Sequence, residues 1–189
     1  MNKTKNIYDE SKIKTLSSLE HIRLRSGMYI GRLGDGSNYD DGIYILLKEI
    51  IDNSIDEYIM GYGDKIIIER KDDTITVRDF GRGIPLGKLI ECVSTINTGA
   101  KYNDDVFQFS VGLNGVGTKA VNALSKKFIA ASYRNGEGRI VVFEKGVLKS
   151  DKYVKEDKPD GTIVQFTPDE EIFGTFSFND EIIEKRLWH

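Results

Sequence analysis

The stretch that decides the reading of this chain is Ile43-Tyr44-Ile45-Leu46-Leu47-Lys48-Glu49-Ile50-Ile51-Asp52-Asn53-Ser54-Ile55-Asp56-Glu57-Tyr58-Ile59-Met60, which Gly61 and Gly63 stop. At about 100° per residue, Ile43, Leu46, Leu47, Ile50, Ile51, Ile55, Tyr58 and Ile59 cover more than half of a helix circumference. A narrow arc is left for Glu49, Asp52, Asn53 and Asp56, with Ile45 and Met60 at its ends and no lysine on it. Such a helix is buried on most sides and carries one acidic stripe. Carboxylates held against apolar surface either rise in pKa or take up a cation, which suits a general base or a divalent metal. The alternative is a plain solvated face.

Outward from this helix, Ser17 and Glu20 have the spacing of a capping box, which opens a short helix to about Arg25. Residues 1–16 read as a flexible arm, and the folded part runs from 17 to 189. Residues 27–31 and 34–41 are rich in turn formers. Lys65–Arg70 and Thr74–Asp79 flank Asp72-Asp73 and predict a hairpin. Leu86–Ile96 reads as a helix, 97–116 as a long loop, Gly117–Leu124 as a helix. Phe128–Arg134, Arg139–Glu144 and Thr162–Thr167 read as strands, and Asn179–Leu187 as a helix. Without strict βαβ alternation, this order predicts an α/β two-layer sandwich whose mixed, mostly antiparallel sheet is covered by helices.

Composition narrows the function. The chain has 189 residues, 39% hydrophobic and 30% charged, and no uncharged stretch reaches the roughly 18 residues of a membrane span. Its start has no apolar run behind the lysines, so the expected location is cytoplasmic, away from any membrane. One cysteine and two histidines exclude an internal disulfide and an ordinary zinc cluster. Cys92 reads as a small buried hydrophobe. A net charge of −3 argues against a DNA-gripping surface.

Two glycine clusters punctuate the chain. Asp79-Phe80-Gly81-Arg82-Gly83-Ile84-Pro85 ends a strand in a sharp turn, where backbone can approach a flat ligand and one carboxylate can sit among apolar walls. Gly112-Leu113-Asn114-Gly115-Val116-Gly117 closes the long loop and opens a helix, a place for a phosphate. The cluster is neither a Walker loop nor a dinucleotide fingerprint, since no Gly-Lys-Ser/Thr follows and no hydrophobic strand precedes it. Each cluster alone is equally consistent with a plain turn.

In chain order, Glu49–Glu57, Asp79–Pro85, Thr98-Gly99-Ala100-Lys101-Tyr102, Gly112–Gly117 and Gly161-Thr162 together resemble the ATPase domain shared by the B subunits of DNA gyrase and topoisomerase IV. These are members of the GHKL superfamily with the Bergerat fold. Tyr29-Ile30-Gly31, Val121–Ser125 and Phe166-Thr167-Pro168 are similar to that family too, so the resemblance covers residues 17–187.

The resemblance implies ATP and Mg2+ as ligands. It makes Glu49 the catalytic base that activates water and gives Asn53 the magnesium. Asp79 would read the adenine amino group, assisted by Thr162 through water, with Ile50, Val77, Ile84, Pro85 and Val164 as pocket walls. Gly83 lets the chain pass close. Lys101 and the backbone of Leu113, Asn114, Gly115, Val116 and Gly117 would hold phosphates, with the loop between acting as a lid. Arg82 would either lie over adenine or pair with Glu57; Asp52 and Asp56 would act on the metal indirectly; Tyr102 and Phe107 would pack the lid or fill core.

Four positions depart from the usual pattern of the family: Ile45 and Asn114 replace histidines, Phe80 a frequent aspartate, and Ile140 falls near a drug-contacting arginine, so weak aminocoumarin binding is expected. The family implies a following transducer domain that supplies a phosphate-binding lysine, a second B subunit, a DNA-cleaving A subunit and DNA. The expectation is that this chain is the nucleotide-binding subdomain alone, monomeric and weakly hydrolytic. Rival readings are a GHKL chaperone, a MutL-type repair protein, a histidine kinase, or a dimerisation module gated by ATP without useful turnover.

Overall fold

The computed structural model describes residues 13–98 and 115–188. Most of the arm expected at 1–16, together with Lys101, Tyr102, Phe107 and Gly112–Asn114, lies outside the described residues.

The helices are α1 (Ser18–Leu24), α2 (Gly27–Ile30), α3 (Gly42–Ile59), α4 (Leu89–Ser94), α5 (Gly117–Ala123), α6 (Glu170–Phe173) and α7 (Asp180–Leu187). The strands are β1 (Ile66–Lys71), β2 (Thr74–Asp79), β3 (Ser125–Arg134), β4 (Glu137–Glu144), β5 (Val147–Lys155) and β6 (Gly161–Pro168), in the sheet order β1-β2-β6-β3-β4-β5. All five pairings are antiparallel. The expected two-layer α/β architecture is therefore present.

Local chemistry sets these elements. Ser17 Oγ accepts from Glu20 N while Glu20 Oε2 accepts from Ser17 N, the reciprocal cap expected for α1. The β1–β2 hairpin turns through Asp72 at φ 54°, a left-handed conformation that aspartate tolerates. Asn135-Gly136 joins β3 to β4 with both residues at positive φ, as a two-residue type I′ turn requires.

In β2 the alternate residues Ile75, Val77 and Asp79 are buried, and Val77 lies opposite Val164 of β6. That face packs on α3, whose Ile43, Leu46, Leu47, Ile50 and Ile51 join Phe128, Phe166, Leu89, Val93, Val121 and Leu124 in one core.

Three expectations need correction. Leu86–Ile96 is not one helix: a 3-10 turn over Leu86–Lys88 follows Pro85, and only Leu89–Ser94 is α-helical. Residues 27–30, expected as turn, close one short helix that Gly31 ends at φ 67°. Strand β5 was not foreseen, because its side chains are largely exposed and show no hydrophobic alternation.

Tyr44 ties the C-terminal part to α3. It is fully buried; its hydroxyl donates to Gly36 O at 2.7 Å and accepts from Asn179 N at 2.9 Å, just before α7. Tyr44→Phe strands a buried carbonyl and a backbone N–H without filling any space. It should cost about 1–3 kcal/mol, read as a lower urea midpoint with an unchanged slope.

Candidate functional site

Helix α3 reaches the site on two sides through adjacent residues. Asn53 Nδ2 donates to Glu49 O at 3.0 Å and to Thr118 Oγ1 at 2.8 Å, so its amide spans from α3 to α5. Ser54 Oγ, next in the chain, donates to Asp79 Oδ2 at 3.3 Å and joins α3 to the end of β2.

Asp79 is only 7% exposed. Its Oδ1 accepts from Gly81 N at 3.0 Å and from Thr162 N at 3.1 Å, two fixed backbone donors that orient the carboxylate. Burial pushes its pKa above the ordinary 3.8; these N–H groups and the Ser54 hydroxyl oppose the rise, and the charge of Glu57 adds to it. Thr162 thus acts on Asp79 through its backbone. Ile50, Val77 and Val164 are buried beside this carboxylate's strand, and Ile84 packs partly buried against the same core. Pro85 is exposed and precedes the 3-10 turn.

Gly83 sits at φ 70°, and a Cβ there would come within 2.8 Å of Tyr133 O, so the turn passes close to β3 as expected. Ser132 Oγ donates to Ile84 O at 2.7 Å, and Arg134 Nη1 lies 3.4 Å from Gly83 O. Ile140 pairs with Ala131 in the middle of the sheet, and Arg134 supplies an arginine at the turn. Arg134 lines an open cavity of about 390 Å³ with Tyr62, Phe80, Gly81, Arg82 and Asp160. Of the alternatives for Arg82, the structure has the ion pair: Nη2 lies 2.7 Å from Glu57 Oε1, and the guanidinium stacks 4.3 Å from the Tyr62 ring centroid.

At the other end, Glu49 is half-buried against the start of α5. A Cβ on Gly117 would fall 2.0 Å from Glu49 Oε2, so any other residue there would push this carboxylate from its place. Ile45 lies one turn before Glu49. Gly115, Val116 and Gly117 lead into that helix, whereas Lys101, Leu113 and Asn114 lie outside the described residues. Lys119 is 4% exposed and donates to Thr98 O and Gly115 O, both at 2.6 Å, tying together the residues that flank 99–114.

Of the two readings of the arc on α3, the solvated one falls away. Lys48, just outside it, pairs with Asp52 four residues on, and Asp52 and Asp56 are buried, so this is no solvated face. Cys92 is half-buried, and burial raises its thiol pKa. Sequence reasoning missed Ser54, Thr118, Lys119, Ser132 and Arg134. The one signal available for Thr118 and Lys119 was their place directly after the second glycine cluster.

Residues 38–172 match the family model described as histidine kinase-, DNA gyrase B-, and HSP90-like ATPase. The chain belongs to that ATPase family. It is 67% identical to the B subunit of DNA topoisomerase 4 from Borreliella burgdorferi, over 99% of this chain and 31% of that protein. It is 41% identical to the B subunit of the type 2 topoisomerase from Aquifex aeolicus, over 95% of this chain and 23% of that protein. The chain therefore spans a third or less of these relatives. Among solved structures, the 43K ATPase domain of Thermus thermophilus gyrase B, in complex with an aminocoumarin, superposes with a TM-score of 0.74 at 32% identity, covering 91% of this chain and 44% of that one. The family and this fold match agree with the resemblance carried by the five motifs. No helix among the described residues is long and apolar enough to cross a membrane.

The raised pKa of Asp79 has a stability consequence. The folded chain holds that proton more tightly than the unfolded one, so the contribution is present below pH 3.8 and is lost as pH rises through the folded value. Relative to Asp79→Asn, which has no such proton, the wild type should lose stability across that window. Urea denaturation of both at a series of pH values checks the sign.

Proposed function

We propose that this chain is the ATP-binding and ATP-hydrolysing part of a cytoplasmic type II DNA topoisomerase, within its B subunit. The observation that carries the reading is the Asp79 carboxylate: buried, oriented by two backbone N–H donors on Oδ1, and on the same face of β2 as Val77, which lies opposite Val164. Such a group reads a hydrogen-bond donor on a flat apolar ligand, as the adenine amino group is. Ile50, Ile84 and Pro85 complete the walls, Thr162 supports Asp79, and Gly83 permits the close backbone.

At the α3–α5 end, Glu49 is the general base: its carboxylate orients the attacking water and takes its proton. Asn53 offers its side-chain oxygen to magnesium. An amide oxygen is a hard, uncharged donor of the kind this ion accepts. A magnesium carried by nucleotide phosphates needs few protein ligands and keeps several waters. When bound, the ion neutralises phosphate charge as it develops. Lys101 and the backbone of Leu113, Asn114, Gly115, Val116 and Gly117 hold the phosphates, with the segment between them as lid.

The domain reading is an arm over 1–16 and a nucleotide-binding unit over 17–189, monomeric by itself. In the full protein the proposed partners are a transducer domain, a second B subunit, the DNA-cleaving A subunit and DNA. The similarity to the B subunits of topoisomerases favours this over the chaperone, repair and kinase readings.

Calorimetry with ATP and ADP tests the site directly. Both should bind in the presence of magnesium; no heat at millimolar nucleotide would end the proposal. Asp79→Ala should lose more affinity than Asp79→Asn, whose amide oxygen keeps an acceptor, and equal losses would remove Asp79 from the base contact.

In the full-length protein, Glu49→Ala should cut single-turnover hydrolysis by roughly 10²- to 10⁴-fold while affinity stays within a few fold, because a base acts in the transition state. Asn53→Ala should weaken both together. Retention of more than about a tenth of turnover in Glu49→Ala, a level above that range, would exclude Glu49 as base.

A further inference from the structure

An asparagine amide has two N–H donors and one oxygen acceptor, and its usefulness to a cation depends on which end faces it. Here both donors of Asn53 are committed: one to Glu49 O on its own helix and one to Thr118 Oγ1, the second residue of α5. Turning the amide over would set Oδ1 against the Glu49 carbonyl, acceptor against acceptor. The Glu49 carbonyl alone lets the side chain swing about one hydrogen bond; the Thr118 hydroxyl is the second point that stops it. Thr118 is itself placed by Gly117, whose missing Cβ lets α5 start against Glu49. Magnesium demands near-ideal octahedral geometry, so an oxygen fixed in advance binds it better than one that must be ordered on arrival.

We propose that Thr118 is a positioning residue for the magnesium–nucleotide complex. Its hydroxyl accepts from Asn53 Nδ2 and thereby holds Asn53 Oδ1 as the protein's oxygen ligand. Thr118 touches neither the nucleotide nor the metal in this role. The inference rests on the reading of Asn53 given above, and the test separates the two.

The quantity to measure is the ratio of ADP affinity in saturating magnesium to ADP affinity in EDTA, by calorimetry on this chain. Thr118→Val keeps the side-chain shape and removes the hydroxyl. It should lower the ratio about three- to tenfold, the worth of one hydrogen bond, and leave the EDTA affinity within about twofold. Thr118→Ser, which restores the hydroxyl, should return the wild-type ratio. Asn53→Ala should lower the ratio at least as far as Thr118→Val.

A wild-type ratio in Thr118→Val, with Asn53→Ala lowered, overturns the role of Thr118 alone. Equal losses in magnesium and EDTA overturn it as well, since the hydroxyl would then serve the nucleotide directly. Failure of Thr118→Ser to recover does the same. An unchanged ratio in Asn53→Ala instead removes the reading of Asn53, and the proposal with it.

Discussion

A helix buried on nearly every side that still carries acids and amides must find a partner for each of them, and helix α3 imposes that constraint on the rest of the molecule. Asp52 takes Lys48, Asn53 takes Thr118, Ser54 takes Asp79 and Glu57 takes Arg82. Unmet, a buried polar group costs more than its hydrogen bond is worth when made, so these pairings dictate where α5, the end of β2 and the following turn can lie. The hydrophobic core fixes the layers, and the polar contacts of α3 fix their register.

The same pairings divide the site into two ends. Residues 53 and 54 are neighbours in sequence but project about 100° apart on the helix, so one reaches α5 and the other β2. A ligand lying along α3 would meet a hydrogen-bond acceptor at one end and a carboxylate with an amide at the other. One rigid element makes both contacts, so their separation is set by a helix rather than by loops. Lys119 joins the two residues that flank 99–114, Thr98 and Gly115.

Much of this was legible in the sequence, for physical reasons that differ by element. Helix α3 and the capping box of α1 announce themselves by periodicity and by local hydrogen bonding, which need no tertiary knowledge. Asp79 and the glycine turns were legible as punctuation, and only their order along the chain made them specific. What stayed hidden depended on contacts across the sheet or between helices. Arg134 and Ile140 lie only a few positions apart, and the hairpin register decides which of them meets the turn at Gly83. Lys48 lies just outside the polar arc of α3, and only its four-residue spacing to Asp52 marks it as the cation of that stripe. Thr118 looks like any helix residue until Asn53 is seen opposite.

Strand β5 has a further consequence at the rim of the sheet. It forms one edge of the sheet beside β4 and carries the exposed Lys149, Lys152 and Lys155. An edge strand offers a row of backbone groups on which another molecule's strand could add, and lysines there make such an addition electrostatically unfavourable. The charges that erased the hydrophobic signature of β5 therefore also disfavour edge-to-edge strand addition at this rim of the sheet.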